Sequence, residues 1–338
     1  MRTDPLLEVR GLKKHFPVRR GFFSTRAHVA AVDGVDFVLD AGETLSIVGE
    51  SGCGKSTVGR LVLRLVDPTE GEVLLRGRRI DGLRPAALRP LRRDMQIIFQ
   101  DPFSSLDPRL TVRDILAEPI VNFGLASGRR EIDDRVADLL AKVRLPADTM
   151  RRLPHEFSGG QRQRIGIARA LAPGASLIIC DEAVSALDVS VKAQIINLLS
   201  DLKDELGLAL LFISHDLAVV EHLTDRVAVM YLGRIVEVGS RDTIFDAPRH
   251  PYTQALLSAV PMPDPNAKRQ RIILKGEIPS ALDPPKGCGF HTRCPFAFDR
   301  CRTEEPNLRR TETHGHLVAC HLEEVSAPPR SSASDLAC

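Results

Sequence analysis

Gly49-Glu50-Ser51-Gly52-Cys53-Gly54-Lys55-Ser56 sets glycines ahead of a Lys-Ser pair at the spacing G-x-x-x-x-G-K-[ST]. Glycines let backbone N–H groups converge on phosphate oxygens, and a helix that starts there adds its dipole. At that spacing Lys55 reaches the β- and γ-phosphates, and the Ser56 hydroxyl ligates Mg²⁺. The alternative is a glycine-rich turn in an unrelated α/β domain. The context argues against it: Leu45 to Val48 is a short apolar strand, and Thr57 to Val66 carries Val58, Leu61, Val62 and Leu65 at helical spacing. Two more apolar runs end in groups that suit the same ligand. Leu177 to Cys180 leads into Asp181-Glu182, and Leu208 to Ile213 leads into Ser214-His215. In open parallel sheets, ligands bind beyond the carboxyl ends of the strands. There Asp181 can hold Mg²⁺ through its water shell, Glu182 can polarise a water for in-line attack, and His215 can contact the γ-phosphate. Singly, each has a local reading as a helix cap or a structural histidine.

The elements that position these groups follow from the same pattern. Val35, Phe37 and Leu39 alternate with polar neighbours, Glu72 to Ile80 is a further strand, and Asp33-Gly34 and Asp81-Gly82 are turn signals. From about Pro102 to Ala172 the pattern becomes helical, with Ile132, Val136, Leu139, Leu140 and Val143 on one face. A helix from Val191 to Leu206 between two buried strands implies a parallel crossover. The expected fold is α/β with a mostly parallel sheet and a helical insertion.

The chain has 338 residues, with 46 basic and 44 acidic side chains and 43% apolar residues. That is an ordinary globular mixture, which excludes wholesale disorder. No apolar run approaches the roughly 18 residues needed to span a bilayer. The start, Met1-Arg2-Thr3-Asp4-Pro5, lacks a signal-peptide pattern, so a cytosolic location is expected. Near-neutral charge, no Trp and only two Tyr give no reason to expect nucleic acid.

Phe157-Ser158-Gly159-Gly160-Gln161 opens a second helix with bare N–H groups, about a hundred residues beyond the first loop. One nucleotide rarely needs two phosphate cradles in one chain, unless the second serves a nucleotide held by another subunit. At these residues the chain closely resembles the ATP-binding cassette (ABC) ATPases. Gly49 to Ser56 matches Walker A, and Leu177 to Glu182 matches Walker B. Phe157 to Gln161 matches the signature, with Phe for the commoner Leu. Ser185-Ala186-Leu187-Asp188 matches the D-loop, Gln100 the Q-loop and His215 the switch histidine. Ala183 stands where proline usually follows the catalytic Glu.

The resemblance implies a P-loop NTPase with an antiparallel β subdomain, and a head-to-tail pair of subunits closing on ATP. Gly49, Ser51, Gly52, Gly54, Lys55, Ser56 and Thr57 would hold the nucleotide. Ser158, Gly159, Gly160, Gln161 and Asp188 would close on it from the other subunit. Ser56, Gln100 and Asp181 would ligate Mg²⁺, with Glu182 and His215 catalytic. Phe16 is the expected adenine platform, with Phe22 and Phe23 as alternatives.

Near Pro248 the composition changes, and nine prolines fall between Pro248 and Pro295. His250 to Leu257, Gly276 to Pro279, Pro284 to Cys288, Phe290 to Pro295 and Val318 to His321 resemble the tail of oligopeptide and dipeptide importer ATPases. The expected division is a cassette over 1–250 with its helical insertion at about 102–172, a separate extension over 251–325, and a disordered tail over 326–338. Cys288, Cys294, Cys301 and Cys320 are separated by five, six and eighteen residues. Four thiolates can hold a [4Fe–4S] cluster, the first expectation, or Zn²⁺, or remain reduced thiols. His291, His316 and His321 are expected to be neutral packing residues.

The resemblance implies an ATPase that energises peptide uptake from the cytoplasmic face of the membrane, with two permease subunits, a second ATPase (a distinct homologue or a second copy) and an extracytoplasmic substrate-binding protein. A soluble cassette acting on ribosomes or DNA would usually carry two cassettes or a coiled-coil insertion. A degenerate cassette that only binds ATP is disfavoured by Glu182, His215 and Ser158.

Overall fold

A computed structural model of the chain describes residues 4–19, 26–101, 104–260 and 272–322. The amino-terminal part contains β1 (Leu7–Arg19), β2 (Arg26–Leu39), β3 (Thr44–Val48), α1 (Lys55–Val62), β4 (Glu70–Leu75), β5 (Arg78–Arg79), α2 (Pro85–Leu88) and β6 (Met95–Ile98). A helical section follows with α3 (Val112–Asn122), α4 (Arg129–Lys142) and α5 (Gly159–Leu171). Next come β7 (Leu177–Asp181), α6 (Val189–Leu206), β8 (Ala209–Ser214), α7 (Leu217–Leu223), β9 (Arg226–Tyr231), β10 (Arg234–Ser240), α8 (Arg241–Asp246) and α9 (Pro251–Ser258). The described chain ends with α10 (Asp299–Thr303), β11 (Arg309–Arg310) and β12 (Leu317–Val318).

The central sheet has the order β11-β12-β10-β9-β3-β8-β7-β6, and the strands from β9 to β6 run parallel. A second, antiparallel sheet has the order β2-β1-β4-β5. β3, β7 and β8 are buried throughout, as expected for strands covered on both faces. Alternation divides their side chains between two cores. Ile178, Cys180, Leu210 and Phe212 face the helical side, while Ile179, Leu211 and Ile213 face the antiparallel sheet. The α/β architecture, the antiparallel subdomain and the helical insertion are as the sequence implies. α4 buries Ile132, Val136, Leu139 and Leu140, the expected face.

Three local expectations are corrected. Asp33-Gly34 is not a hairpin turn: it lies within β2, at a shift in the β1–β2 register, with Gly34 at φ +75°. A glycine in the left-handed region absorbs the extra residue of a bulge, so the same dipeptide fits either feature. The run from Glu72 to Ile80 is broken into β4 and β5 by a two-residue turn at Arg76-Gly77, both with positive φ. α6 starts two residues before Val191, because Asp188 caps it by accepting from the Val191 N–H at 3.0 Å.

The proline-rich extension does not stand apart from the cassette. β12 pairs with β10, so the extension continues the central sheet. Beneath that junction, Glu237 of β10 is fully buried. Its carboxylate accepts the Arg249 N–H at 2.7 Å and the His250 N–H at 3.1 Å, and lies 2.8 Å from His316 Nε2. Three chain segments thus converge on one buried acid. His316 and His321 are buried, and His291 is half-buried. Phe22, Phe23 and the tail from 326 lie outside the described residues.

His250 supplies a pH prediction. Its Nδ1 caps α9 by accepting the Tyr252 N–H at 3.1 Å, which requires the neutral ring. Burial lowers its pKa from 6.5 to about 4, and Glu237 opposes the shift only in part. Between those values the unfolded chain binds a proton that the folded chain refuses, so stability falls as pH is lowered through this window, by about 3 kcal/mol at most. His250→Asn keeps an acceptor at the cap. Denaturant titrations between pH 7 and pH 4 should show a shallower loss for this variant than for the wild type, and equal slopes would refute the assignment.

Candidate nucleotide site

The parallel register brings the sequence-derived groups to one edge. Val48 of β3 pairs with Ser214 of β8, and Asp181 of β7 pairs with Ile213. The loop after Val48, the Asp181-Glu182 pair and His215 therefore leave the sheet side by side. The loop glycines are sterically required. A Cβ on Gly49 would lie 2.2 Å from the Met230 carbonyl oxygen, and one on Gly54 2.0 Å from that of Ala31. Gly52 is open but has φ +81°. α1 begins at Gly54 with no capping side chain and no acid in its first turn, so its N–H groups remain available to an anion.

Lys55 is 4% exposed. Its ammonium donates to the Gly49 carbonyl at 2.8 Å and the Glu50 carbonyl at 3.0 Å, and among the described residues it has no carboxylate partner. A buried cation satisfied only by dipoles favours an anionic ligand. Ser56 Oγ donates to Asp181 Oδ1 at 2.6 Å, which joins the two oxygens suited to Mg²⁺. Asp181 is buried, at the end of β7. Ser51 is exposed on the loop, and Thr57 is half-buried in the first turn of α1.

Glu182 stands between two partners. Gln100 Nε2 donates to its Oε2 at 3.0 Å, and His215 Nδ1 lies 3.3 Å from its Oε1. Its backbone is left-handed, at φ +50°. Such a conformation costs of order 1–2 kcal/mol for a residue with a Cβ and persists only when neighbours impose it. Here the Glu182 N–H donates to the Ile213 carbonyl, and Ser185 donates to the Glu182 carbonyl through both its N–H and its Oγ, each at 3.0 Å. Ala183, in the place of the usual proline, is buried beside it. A carboxylate held between an amide and an imidazole can take a proton from water, and the His215 side chain, 52% exposed, can reach a ligand from the same side.

The signature residues stand elsewhere. Ser158 and Gln161 form a reciprocal capping box at the start of α5: Ser158 Oγ accepts the Gln161 N–H at 3.4 Å, and Gln161 Oε1 accepts the Ser158 N–H at 3.0 Å. Gly159 is the first helical residue. A Cβ on Gly160 would meet Val191 Cγ1 at 2.5 Å. Asp188 caps α6 and also accepts from Ser190 Oγ at 2.7 Å. Among the described residues none of these bonds reaches Lys55, Ser56, Asp181 or Glu182. Phe16 is 37% exposed on β1, with Lys14 Nζ 5.1 Å from its ring centroid.

The four cysteines lie near one another, but not as the ligand set expected from the sequence. The Cys288 N–H donates to the Cys301 carbonyl at 2.9 Å, and the thiols lie within electrostatic reach of one another. Burial pushes Cys288 up to about 11 and Cys320 up to about 12, and the neighbouring thiols add to both shifts. These two are therefore protonated at neutral pH. Among the described residues no three His, Cys, Asp or Glu side chains are arranged to hold a metal ion. The donor types fit a cluster or zinc; their arrangement does not.

Sequence reasoning missed three residues at the loop. Glu50 accepts a two-pronged ion pair from Arg293, at 2.6 and 3.0 Å, and its N–H donates to the Tyr252 hydroxyl at 2.9 Å. Both partners come from the extension, more than 200 residues away in the chain. No spacing rule links them. The tail motifs that contain them were the only available signal.

Comparisons with known proteins agree with this geometry. The family described as "ABC transporter" matches residues 32–185, and "Oligopeptide/dipeptide transporter, C-terminal region" matches residues 236–301. The chain is 57% identical to a protein of Sinorhizobium fredii described as a "Probable peptide ABC transporter ATP-binding protein", over 99% of this chain and 95% of the relative. It is 53% identical to the oligopeptide transport ATP-binding protein of Bacillus subtilis, over 94% and 98%. It is 51% identical to the dipeptide transport ATP-binding protein of Haemophilus influenzae, over 95% and 98%. Among solved structures, a dimeric ATP-binding cassette in a post-hydrolysis state with ADP and Pi superposes with a TM-score of 0.62 at 28% identity, covering 70% of this chain and 98% of that one. A cassette from an ABC transporter complex of Clostridium perfringens superposes at 0.63 and 28%, covering 72% and 92%. The phosphate loop, the paired carboxylates and the histidine thus stand in a chain that belongs to the ABC transporter ATPases, in the group that carries the oligopeptide/dipeptide transporter carboxyl-terminal region.

Proposed function

We propose that this chain hydrolyses ATP to energise peptide import, working from the cytoplasmic face of a membrane. The observation that carries the ATPase reading is Glu182, held between Gln100 and His215 beside the Ser56–Asp181 pair. The peptide reading rests on relatives named for peptide, oligopeptide and dipeptide transport. Among the described residues no helix is long and apolar enough to cross a membrane, so permease subunits would supply the spans.

In this reading Lys55 and the bare N–H groups of α1 hold the β- and γ-phosphates, and Phe16 stacks on adenine. Gly49, Ser51, Gly52, Gly54 and Thr57 complete the cradle. Ser56, Asp181 and Gln100 would hold Mg²⁺, which would neutralise charge on the phosphates. Glu182 takes the proton of the attacking water. His215 contacts the γ-phosphate and orients Glu182. Ser158, Gly159, Gly160, Gln161 and Asp188 serve the nucleotide of a second ATPase subunit, a distinct homologue or a second copy. ATP closes the pair, and hydrolysis with product release reopens it. A substrate-binding protein outside the membrane would deliver the solute.

The four cysteines, which converge here without forming a ligand set, would have to rearrange their side chains to hold the proposed [4Fe–4S] cluster or, as the alternative, Zn²⁺. Support comes from the convergence of four thiols in a segment with little regular structure, where a staple would stabilise the fold.

Glu182→Gln should bind Mg-ATP with near-wild-type affinity but hydrolyse it at least about a hundredfold more slowly, the size of a general-base contribution. Wild-type turnover in that variant would refute the assignment. Lys55→Ala should lose nucleotide affinity in equilibrium binding, and unchanged binding would remove Lys55 from the site. Iron, acid-labile sulfide and zinc assays on anaerobically purified protein decide the cysteines. Near-zero values for all three leave reduced thiols. Tagged chain recovered from mild-detergent extracts with two multi-span proteins and a second cassette supports the importer; recovery only with ribosomes or nucleic acid overturns it.

A further inference from the structure

The extension meets the phosphate loop at Glu50. Arg293 grips its carboxylate with both guanidinium prongs, Nη1 to Oε2 at 2.6 Å and Nη2 to Oε1 at 3.0 Å. The Arg293 side chain is 7% exposed and the Glu50 side chain 26%, so this pair is partly shielded from water. Tyr252, fully buried, accepts the Glu50 N–H. Phe290 packs its ring against Tyr252, with centroids 5.4 Å apart, and against Tyr231 at 5.3 Å. Arg293 is the chain neighbour of Cys294, and the Arg293 and Cys294 N–H groups both donate to the Phe290 carbonyl at 3.0 Å. The clamp is therefore built into the fold of the cysteine segment itself.

A loop with glycines at 49, 52 and 54, all at positive φ, has many conformations open to it. Only those that converge N–H groups on one point accept a phosphate. When the competent shape is a fraction of the population, apparent affinity falls by that fraction. Fixing Glu50 on both its backbone and its side chain removes alternatives at the residue next to Gly49. Bidentate guanidinium–carboxylate pairs suit this task because they fix orientation as well as distance. Lys55 donates to the Glu50 carbonyl, so the same residue that the extension holds also positions the ammonium.

We propose that Arg293 and Tyr252 are positioning residues for nucleotide binding: through Glu50, the carboxyl-terminal cysteine segment holds the phosphate loop in its phosphate-accepting shape. The inference rests on the reading of this loop as the ATP site and adds a second role for the extension, control of nucleotide affinity.

The test uses the full-length chain in the Glu182→Gln background, so that ATP is not consumed, with Mg-ATP titrated calorimetrically and thermal melting recorded for each variant. Arg293→Ala should weaken binding about tenfold, about 1.4 kcal/mol. Arg293→Lys, which keeps the charge but loses the fork, should recover part of that loss. Glu50→Gln should also weaken binding, and the double variant should bind no worse than Arg293→Ala, because the two act through one contact. With Glu182 intact, KM should rise while kcat at saturating ATP stays within about twofold, a split that general loss of folded protein would not produce. A folded Arg293→Ala that binds within about twofold of the wild type, or a double variant with additive losses, overturns the inference. If Arg293→Ala does not fold, Tyr252→Phe decides: removal of the hydroxyl alone should weaken binding about threefold, and unchanged affinity overturns the proposal. A parent chain that binds no Mg-ATP overturns the nucleotide reading itself, whereas binding that all variants retain overturns only the clamp.

Discussion

The Lys55 ammonium is buried at the start of α1, where it donates to two carbonyl oxygens and the Cys53 thiol, and the helix dipole there has the same sign. Two positive contributions in one desolvated place repel each other and cost free energy. The surrounding chain has to enforce the arrangement. β3 anchors the loop between β8 and β9. Gly49 and Gly54 bring the loop backbone against Met230 and Ala31, which leaves no room for a side chain at either position. The Gly233 N–H bonds the Cys53 carbonyl at 2.9 Å and fixes the loop from β10's leading turn. Each contact lowers the freedom of the loop to swing Lys55 into water. A phosphate group relieves the repulsion, which is why the position suits a polyanionic ligand.

The extension fits the same constraint. Glu237 gathers β10, the start of α9 and His316 around one buried carboxylate. With β12 on the edge of β10, this fixes Tyr252 and the Phe290–Cys294 segment against Tyr231, the last residue of β9. β9 in turn lies beside β3, whose end is the phosphate loop. Sheet register and aromatic packing therefore determine where Arg293 can meet Glu50. Removal of the Glu237 acceptor would strand three donors in the interior, an effect that would propagate to the loop through shared packing.

What could be read from the residues depended on how far the chemistry lay along the chain. Lys55 and Ser56 lie one short loop beyond β3, Asp181 ends β7, and Glu182 and His215 directly follow β7 and β8, so periodicity located them and parallel pairing gathered them. Asp33-Gly34 was ambiguous because a left-handed glycine serves a turn and a bulge equally, and only pairing with β1 distinguishes them. β11 and β12 are two residues each, too short for any period, so their addition to the central sheet was not legible. The Glu50–Arg293 contact spans 243 residues and follows no spacing. The four cysteines illustrate the opposite limit: their types suggested a metal, but thiol count and spacing do not fix the geometry of a ligand set.

The residues expected to face another subunit are satisfied locally, and this shapes how they can act. Ser158 and Gln161 use their side chains on each other's N–H groups, and Asp188 is occupied at the cap of α6. The tops of α5 and α6 are thereby rigid before any ligand arrives, which lowers the entropy lost when they close on one. α5 is also tied to the Q-loop end of β6. Arg169, near its carboxyl terminus, donates to the Ser105 carbonyl and lies 6.0 Å from the Phe99 ring centroid. Phe99 precedes Gln100, which bonds Glu182. Gln100, Phe99 and Arg169 thus form a continuous line of contacts from Glu182 to the carboxyl end of the thirteen-residue α5, whose other end is Ser158's cap. Glu182 and the start of α5 are joined within this chain through those three residues.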